Sequence, residues 1–342
     1  MIDLIIIIAF LTSLILLILL RPIAFKLKLL DFPTKRKDHI GNVPLIGGIC
    51  IYFGVIMSYG ILNQHDKFSL VLLITSTFIL IQGVWDDCSN VKAKYKMALQ
   101  GILTVIVIYI TDVKLQSFDN LFGVLYPLEL GIFSIPITVI SIVGLTNAIN
   151  MIDGVDGLAS SLILLAVIGL LCFNLKVDPS SLTNILFALA AALLPFMIFN
   201  IVSHSHKKIF LGDAGSLFLG FIISWVLIYN AENNSSFTPS FALWCVAIPL
   251  FDFFTVIILR IIEKRPLMIA NRDHIHHFLK NYGLPNKKIL ATIVFFGVLL
   301  LILGLILENK FQLLSFPIFI AIFLLYLFLR IYNIFIKKVI NY

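Results

Sequence analysis

The amino-acid sequence predicts an all-α, polytopic membrane protein that forms one domain over residues 1–342 and crosses the bilayer about eleven times. Of its 342 residues, 60% are hydrophobic and only 13% are charged, and the mean hydropathy is +1.06. Soluble globular domains contain about 25% charged residues. Apolar runs of about 17–25 residues, the length that spans the hydrocarbon core of a bilayer, recur along the whole chain.

Each of eleven such runs is predicted to form one transmembrane helix. They cover residues 2–20, 43–62, 69–85, 97–111, 131–149, 158–174, 182–200, 210–230, 240–261, 289–307 and 314–333. We interpret the first run as a span rather than a cleaved signal peptide, because its basic residues follow it and it has no small-residue cleavage site. The sequence shows no internal repeat, which argues against an inverted-repeat transporter.

The distribution of basic residues predicts the orientation of the chain in the membrane. All but four of the 25 Lys and Arg residues lie in alternate connections and in the C-terminal tail; the exceptions are Lys67, Lys114, Lys176 and Lys310. Because Lys and Arg are enriched in cytoplasmic loops, the N-terminus is predicted outside and the C-terminus in the cytoplasm. The net charge of +7 is explained by this orientation, and no basic stripe with interleaved aromatic residues indicates nucleic-acid binding.

The most polar segment between two predicted spans has the sequence NAINMIDGVDGL, residues 147–158. Asn147, Asn150 and Asp153 are spaced by three residues, so neighbouring members of the set meet side by side on a helix. The Asp-Gly pairs beginning at Asp153 and Asp156 are typical of turns. We expect one helix to end near Asp153 and the next to begin with Asp156 as its N-cap. A divalent cation, or base and amide donors on a ligand, would offset the repulsion between the carboxylates.

A pair of adjacent acids, Asp86 and Asp87, ends the third predicted span and is followed by three lysines. Two like charges about 4 Å apart repel by about 4 kcal/mol at an effective dielectric constant of about 20. Lys94 and its neighbours could compensate this repulsion, a metal ion could do so, or one carboxyl could stay protonated as an acid or base. Alternatively, the pair could cap the following helix.

Glycine-rich segments lead into the second and the eighth predicted spans. In RKDHIGNVPLIGG, residues 36–48, Lys37 precedes two glycines at a helix start, which suits either phosphate binding or contact with lipid headgroups. In FLGDAGS, residues 210–216, Asp213 lies between glycines. There it could approach a metal ion or a phosphate, cap the eighth helix, or do both.

The longest predicted cytoplasmic connection contains three histidines, His274, His276 and His277, after Arg272. Histidine and arginine together predict binding of phosphate or diphosphate. A zinc site is not predicted, because the histidines have neither a cysteine nor a clean i, i+4 pairing. Asp252 lies within the ninth predicted span, and we expect it to pair with an arginine or with a helix end.

Five segments carry a family resemblance, and all of them lie on the predicted cytoplasmic side: RKDHIGNVPLIGG, DDCSNVKAKYK, NAINMIDGVDGL, FLGDAGS and HIHH. In sequence and in order they resemble the polyprenyl-phosphate N-acetylhexosamine-1-phosphate transferases, the group that includes WecA, TagO and MraY. The HIHH form and the RKxH segment are most similar to the WecA-like branch. The resemblance covers almost the whole chain.

The resemblance implies an enzyme of the bacterial cytoplasmic membrane, with its active site on the cytoplasmic face. It would transfer a sugar-1-phosphate from a UDP-N-acetylhexosamine to undecaprenyl phosphate and release UMP. GlcNAc-1-phosphate is the expected group, and the product would begin a lipid-linked cell-envelope glycan, such as the O-antigen of lipopolysaccharide or a cell-wall polymer. A homodimer is left open.

The identity of the sugar is left open by one departure from the WecA-like pattern. That branch commonly has Pro-Asp-Arg before the histidines, where this chain has Ala270-Asn271-Arg272 followed by Asp273. UDP-FucNAc, UDP-QuiNAc and UDP-MurNAc-pentapeptide therefore stay alternative donors.

By motif match, the resemblance also implies a Mg²⁺ cofactor, with Mn²⁺ as an option, and a set of site residues. The implied metal ligands are Asp213 and Asn150. Asp86 and Asp87 resemble the pair that acts at the lipid phosphate or the metal. On charge and placement alone, we predict that Lys94 helps to neutralise the lipid phosphate and prefer Asp87 as the orienting or basic group. The implied substrate-binding residues are Asp153, Asp156 and Phe210 for uridine, Arg272, His274, His276 and His277 for the diphosphate and sugar, and also Lys37 and Asn147.

An ion-coupled transporter is the alternative from another functional class, because intramembrane acids are typical of transporters. It would need polar residues near mid-span in several helices, whereas the polar segments here lie at one membrane face. Phosphoryl transfer between two anions depends on cations and a metal ion. A site at the membrane edge also lets a soluble nucleotide sugar meet a lipid, so the sequence favours the transferase.

Overall fold

The computed structural model describes residues 1–32, 41–61, 66–119, 121, 127–175, 181–203, 207–233, 237–266 and 273–340; for residues 181 and 334–340 it describes the backbone only. These ranges are mostly helical, and one short antiparallel sheet pairs β1 (Leu30–Asp31) with β2 (Val43–Pro44). The α-helices are α1 (Ile2–Leu27), α2 (Gly47–Tyr59), α3 (Lys67–Ser89), α4 (Ala93–Thr111), α5 (Ser134–Ile152), α6 (Leu158–Asn174), α7 (Ser181–Met197), α8 (Gly212–Asn233), α9 (Pro239–Cys245), α10 (Ala247–Ile262), α11 (Ile275–Lys280), α12 (Asn286–Lys310) and α13 (Gln312–Ile340).

Among the described residues, eight helices are long and apolar enough to cross a membrane. They are α1, α3, α4, α5, α7, α8, α12 and α13. The pair α9 and α10 passes the same test together but bends by 87° at Val246, and α2 and α6 are apolar but shorter, with 13 and 17 residues. The predicted polytopic helical protein is confirmed. Each predicted apolar run coincides with one of these helices or with the bent pair, while the count of eleven crossings stays a prediction.

Helix α8 forms the centre of the bundle. Within it, 89% of the most apolar window is buried, whereas the corresponding fraction is 22% in α1 and 11% in α13. A helix that is apolar on all sides is typically enclosed by other helices, and α8 contacts α2, α3, α5, α6 and α9. The first residues of α8 are therefore surrounded by neighbouring helices.

Small residues permit the close approach of α2 and α3 to the start of α8. A Cβ atom added at Gly48 of α2 would lie 2.2 Å from the Cα atom of Gly215, and one added at Gly83 of α3 would lie 2.3 Å from the Cα atom of Ala214. No side chain fits in these spaces without moving backbone. The three helices thus converge at the segment that contains Asp213.

The two glycines at the start of α2 serve this packing rather than phosphate binding. The main-chain N–H groups of Gly47 and Gly48 donate to the carbonyl oxygens of Phe210 and Leu211, both at 3.0 Å. These N–H groups are therefore occupied within the protein, and we correct the interpretation of this helix start as a phosphate cradle.

Candidate active site

Four polar side chains from four helices meet at one end of the bundle. The Lys96 ammonium of α4 forms an ion pair with Asp86 of α3 and lies 3.4 Å from Oδ2 of Asp213 at the start of α8. Asn150, near the end of α5, donates from Nδ2 to Oδ1 of Asp213 at 3.0 Å. Asp213 is thus held between a cation and an amide, as expected for a carboxylate whose negative charge must be compensated.

The lysine that compensates the acids is Lys96, which corrects the prediction of Lys94. Lys94 is exposed, and its ammonium lies 4.9 Å from the ring centroid of Tyr95. Lys96 lies on the inner side of α4 together with Gln100 and Thr104, which are fully buried. The signal was present in the sequence, because residues spaced by four share one face of a helix.

Asp87 caps α8 from the neighbouring helix α3. Its Oδ1 and Oδ2 atoms accept the main-chain N–H groups of Asp213 at 2.9 Å and of Ala214 at 3.2 Å. The first N–H groups of a helix lack partners within it, and a carboxylate there also favours the helix dipole. Gly212 has φ of +74°, and a Cβ atom there would lie 2.6 Å from Oδ2 of Asp87. Asp87 therefore caps α8 rather than the following helix α4, whose N-cap is Lys92.

Asp86 has a different environment from Asp87. Its Oδ1 atom accepts the main-chain N–H of Val91 at 2.6 Å, its Oδ2 atom pairs with Lys96, and the side chain is buried. The two acids therefore differ: Asp87 uses both oxygens on the main-chain N–H groups of α8, whereas Asp86 binds one main-chain N–H and the cation beside Asp213.

Asn147 lies deeper in the bundle than the sequence suggested. Its Nδ2 atom donates to Oε1 of Gln100 and to the carbonyl of Val143, both at 2.7 Å, and its side chain is buried. We therefore correct its predicted role in substrate binding: Asn147 joins α5 to α4 below Asn150. Ser216 was not predicted, and its Oγ atom accepts from Nδ2 of Asn150 at 2.9 Å.

The loop between α5 and α6 provides two more acids. Helix α5 ends at Ile152 with Asp153 as its C-cap, as predicted. Helix α6 begins after Gly157, whose φ of +77° is left-handed, so the prediction of Asp156 as N-cap is wrong. Asp156 instead pairs with Lys208, a residue that the sequence analysis did not single out.

Lys208 also connects Asp156 to a predicted nucleotide residue. Its ammonium lies 5.5 Å from the ring centroid of Phe210, within the usual range of a cation–π contact. Asp156, Lys208 and Phe210 thus form one polar and aromatic group beside the α5–α6 loop.

Asp153 experiences the negative charge of the whole site. Burial raises the pKa of its carboxyl to about 8, and the carboxylates of Asp213, Asp156 and Asp87 raise it further in the same direction. A raised carboxyl pKa means that an added cation would be favoured at this position.

The donor set is compatible with a hard divalent cation. In the described part of the chain, no three His, Cys, Asp or Glu side chains form a complete metal-binding group. Mg²⁺ keeps several water ligands and commonly uses one or two carboxylates together with substrate phosphates. Asp213, with the Asn150 amide beside it and with Asp86, Asp87 and Asp153 within electrostatic range, fits that partial coordination.

His274 is fixed by Asp252 of α10. The Nδ1 atom of His274 lies 2.7 Å from Oδ2 of Asp252, and the main-chain N–H of Ile275, the first residue of α11, donates to Oδ1 at 2.7 Å. Arg330 lies 3.5 Å from the same Oδ1 atom. The prediction that Asp252 pairs with an arginine or a helix end is therefore confirmed on both counts.

His276 connects the segment that contains His274, His276 and His277, which we call the histidine segment, to the α5–α6 loop. It is only 3% exposed, and a Cβ atom added at Gly154 would lie 2.1 Å from its Nε2 atom. Its ring is parallel to that of His274, with centroids 6.0 Å apart, and lies 4.2 Å from that of His277. Burial lowers the pKa of His276 to about 3, and His277 adds to this effect. With this lowered pKa, the ring of His276 is neutral near pH 7.

Two predicted residues, Lys37 and Arg272, lie outside the described residues, so their positions stay predictions. Apart from Asn147, the other predicted residues lie at one end of the bundle. They form two groups. The first contains the acids around Asp213, and the second contains the α5–α6 loop with Lys208, Phe210 and His276 beside it. The two groups interact electrostatically through Asp153 and Asp213.

Comparisons with known proteins agree with this arrangement. The family described as "Glycosyl transferase family 4" matches residues 69–231 of this chain. Undecaprenyl-phosphate alpha-N-acetylglucosaminyl 1-phosphate transferase of Yersinia pestis is 30% identical over 304 residues, covering 88% of this chain and 82% of the relative. The protein of the same name in Escherichia coli (strain K12) is 31% identical over 293 residues, covering 84% and 79%.

A third relative covers more of the chain. The probable undecaprenyl-phosphate N-acetylglucosaminyl 1-phosphate transferase of Bacillus subtilis (strain 168) is 32% identical over 332 residues, covering 95% of this chain and 90% of the relative. The similarity thus includes every described part of the site. The chain belongs to the family of WecA-like undecaprenyl-phosphate N-acetylglucosaminyl 1-phosphate transferases.

Proposed function

We propose that this protein transfers GlcNAc-1-phosphate from UDP-GlcNAc to undecaprenyl phosphate and releases UMP. The observation that carries the proposal is the convergence of Asp86, Lys96, Asn150 and Asp213 at one end of an apolar helical bundle. Relatives named for this activity match the chain over 79–90% of their own length. A polar site at the end of membrane helices can receive a soluble nucleotide and a lipid phosphate together.

The reaction proposed is a direct displacement. An oxygen of the lipid phosphate attacks the β-phosphorus of UDP-GlcNAc, and the bond from that phosphorus to the bridging oxygen breaks, so that UMP leaves with this oxygen. A phosphate monoester has a second pKa of about 6, so the lipid phosphate is largely dianionic at neutral pH. The protein must mainly position two anions and neutralise their charge, and Lys96 and Lys208 supply positive charge at the two parts of the site.

An aspartyl nucleophile is disfavoured by the contacts of the two candidates. Both oxygens of Asp87 accept main-chain N–H groups, and Asp86 is bound to Lys96 and to the N–H of Val91. We therefore propose that Asp87 orients α8 and that Asp86 and Lys96 face the phosphates. Protein stripped of polyprenyl phosphate should release no UMP from UDP-GlcNAc; a burst stoichiometric with enzyme, with label retained on the protein, would establish a covalent route instead.

We propose Mg²⁺, with Mn²⁺ as an option, as the cofactor, held by Asp213 and Asn150. The choice of a hard cation is supported by the oxygen-rich donor set and by the negative charge that raises the pKa of Asp153. When bound, the ion would supply positive charge to the diphosphate. Asp213→Asn should remove turnover while the protein still folds, and full activity of this variant at ordinary magnesium would reject Asp213 as a ligand.

We assign the nucleotide to the group formed by Asp153, Asp156, Lys208 and Phe210, with the Phe210 ring available to stack on uracil. The diphosphate and sugar are assigned to the adjoining segment that contains His274, His276 and His277. The contact between His276 and Gly154 brings the two segments together, which supports placing the diphosphate and sugar next to the nucleotide.

Topology forms part of the proposal: eleven crossings, an outer N-terminus, and an active site on the cytoplasmic face of the bacterial inner membrane. The charge asymmetry supports it. In a cysteine-free background, a cysteine at exposed Ser89 should resist an impermeant thiol reagent in intact cells, and one at exposed Asp112 should react. The reverse pattern would reject the orientation.

The donor sugar is tested with purified protein, undecaprenyl phosphate and a panel of radiolabelled UDP-sugars. We expect UDP-GlcNAc to give the highest kcat/KM and a lipid-soluble labelled product. A clear preference for UDP-FucNAc, UDP-QuiNAc or UDP-MurNAc-pentapeptide would keep the reaction and change the sugar. Binding of UDP-GlcNAc without any UMP release would reject the transferase. An ion-coupled transporter is not favoured by the relatives, which are named as transferases.

A further inference from the structure

A buried arginine of the last helix contacts the segment that carries the histidines. Arg330 of α13 is only 5% exposed. Its Nη1 atom donates to the hydroxyl of Tyr326 at 2.8 Å and lies 3.5 Å from Oδ1 of Asp252, and its Nη2 atom donates to the main-chain carbonyl of Asp273. Its guanidinium carbon lies 4.7 Å from the ring centroid of Phe278.

These partners flank His274 and His276. Asp273 immediately precedes His274, Asp252 holds the ring of His274 and the first N–H of α11, and Phe278 lies on α11 two residues after His276. The Arg330 guanidinium therefore contacts the main chain just before His274, the acid that orients His274, and the aromatic side chain of Phe278.

The Asp273 carboxylate has separate partners. It lies 2.9 Å from Nη1 of Arg265 and 3.5 Å from Nε of Arg260. Arg330 binds the carbonyl of this residue instead, so its contribution is the placement of the main chain rather than the neutralisation of the Asp273 side chain.

The position of Arg330 is unusual for α13. Only 11% of the most apolar window of this helix is buried in the protein, as expected of a helix at the lipid-facing edge. Burying a charged group is costly unless it is paired and hydrogen-bonded. The planar guanidinium, with several donors in a fixed arrangement, can satisfy a carbonyl, a carboxylate and a hydroxyl together, which a lysine ammonium cannot reproduce.

We propose that Arg330 is a positioning residue for the transferase reaction: it holds the histidine segment so that His276 stays against Gly154, beside Asp153. This role rests on the proposed function, in which that segment binds the diphosphate and sugar. Arg330 acts through Asp252 and the Asp273 carbonyl and does not itself contact the substrate.

The test compares Arg330→Met and Arg330→Lys with Asn333→Ala. Asn333 is a matched control, because it also joins α13 to the region after α11, accepting the hydroxyl of Tyr282 at 2.6 Å, but it does not touch the anchor of His274. For Arg330→Met we expect kcat/KM for UDP-GlcNAc to fall by up to about 100-fold, while KM for undecaprenyl phosphate stays within about twofold of the parent value. Arg330→Lys should be intermediate, and Asn333→Ala should resemble the parent protein.

Amide hydrogen exchange provides a readout that does not depend on activity. In both Arg330 variants, exchange should increase in residues 275–280 and stay unchanged in α2. Parent-like exchange and kinetics in Arg330→Lys, or an equal defect in Asn333→Ala, would overturn the role of Arg330; if Arg330→Met does not fold, the Lys variant carries the test. Absence of transfer in the parent protein would reject the proposed function, whereas exchange in residues 275–280 would still decide whether Arg330 positions them.

Discussion

The carboxylate of Asp87 accepts the main-chain N–H of Asp213 at 2.9 Å, so an acid in the last turn of α3 also caps α8, the most buried of the candidate membrane spans among the described residues. This contact sets the distance between the acid pair on α3 and the candidate metal ligand on α8. It explains why Gly212, with its left-handed φ, stands directly before Asp213: a side chain there would collide with the Asp87 carboxylate.

Removing this cap should weaken both the fold and the site. Asp87→Ala should reduce stability by about 1–2 kcal/mol, the effect typical of a lost helix cap, and should also lower activity because Asp213 moves with its helix. Asp87→Asn keeps one acceptor and should lose less. Thermal unfolding in detergent measures the stability, with Ser89→Ala on the same helix as a neutral control. Unchanged thermal stability of Asp87→Ala would show that the cap is not needed.

The two lysines after the acid pair should behave differently. Lys96→Ala removes the cation between Asp86 and Asp213, and we expect turnover to fall by about 100- to 1,000-fold, comparable to the loss of one preorganised electrostatic contact. Lys94→Ala should retain nearly full activity, since Lys94 is exposed and lies over Tyr95. Steady-state kinetics of the two variants show which lysine the reaction needs. Their expression levels and thermal unfolding temperatures are compared as a control for folding. A larger defect in Lys94→Ala would contradict the assignment.

Gly154 should tolerate no side chain. In Gly154→Ala, the new methyl group would meet the ring of His276 at 2.1 Å, so the histidine segment must shift, and we expect a loss of activity of about 10-fold or more. Gly144→Ala is the control on α5, the helix that precedes this loop, because a Cβ atom there would have its nearest neighbour at 3.9 Å. Parent-like kinetics of Gly154→Ala would show that the two segments are not in contact.

His276 should stay neutral throughout the physiological range. Its pKa is lowered from 6.5 to about 3, so the folded protein binds fewer protons at this residue than the unfolded chain between those values. Stability contributed by the neutral ring is therefore complete above about pH 6.5 and is lost as pH falls towards 3. NMR of histidine-labelled protein, with His276→Gln used to assign the signal, should show no titration of His276 between about pH 5 and 8. A midpoint near 6.5 would contradict its burial.

The sequence predicted the parts of the site that depend on local pattern. The end of α5 at Asp153 follows from Asp-Gly turn chemistry, and the pairing of Asp252 follows from the cost of burying an acid. The helical bundle follows from apolar run length, because each predicted run coincides with a helix or with the bent pair.

The errors arose where a long-range contact decides the role of a residue. Asp156 was expected to cap its own helix, but Lys208, distant in sequence, pairs with it. Asp87 caps a helix that begins more than a hundred residues later. Lys96 could have been preferred to Lys94 from the four-residue spacing with Gln100, but the involvement of Arg330 required the fold.

The most direct test of the account uses UDP-GlcNAc carrying ³²P only in its β-phosphate, with purified protein, Mg²⁺ and undecaprenyl phosphate. Transfer of GlcNAc-1-phosphate predicts that the label enters the lipid-soluble product, that unlabelled UMP appears in equal amount, and that Asp213→Asn forms neither. Label that remains in the nucleotide, or that is released as inorganic phosphate while unlabelled GlcNAc appears on the lipid, would contradict the central claim.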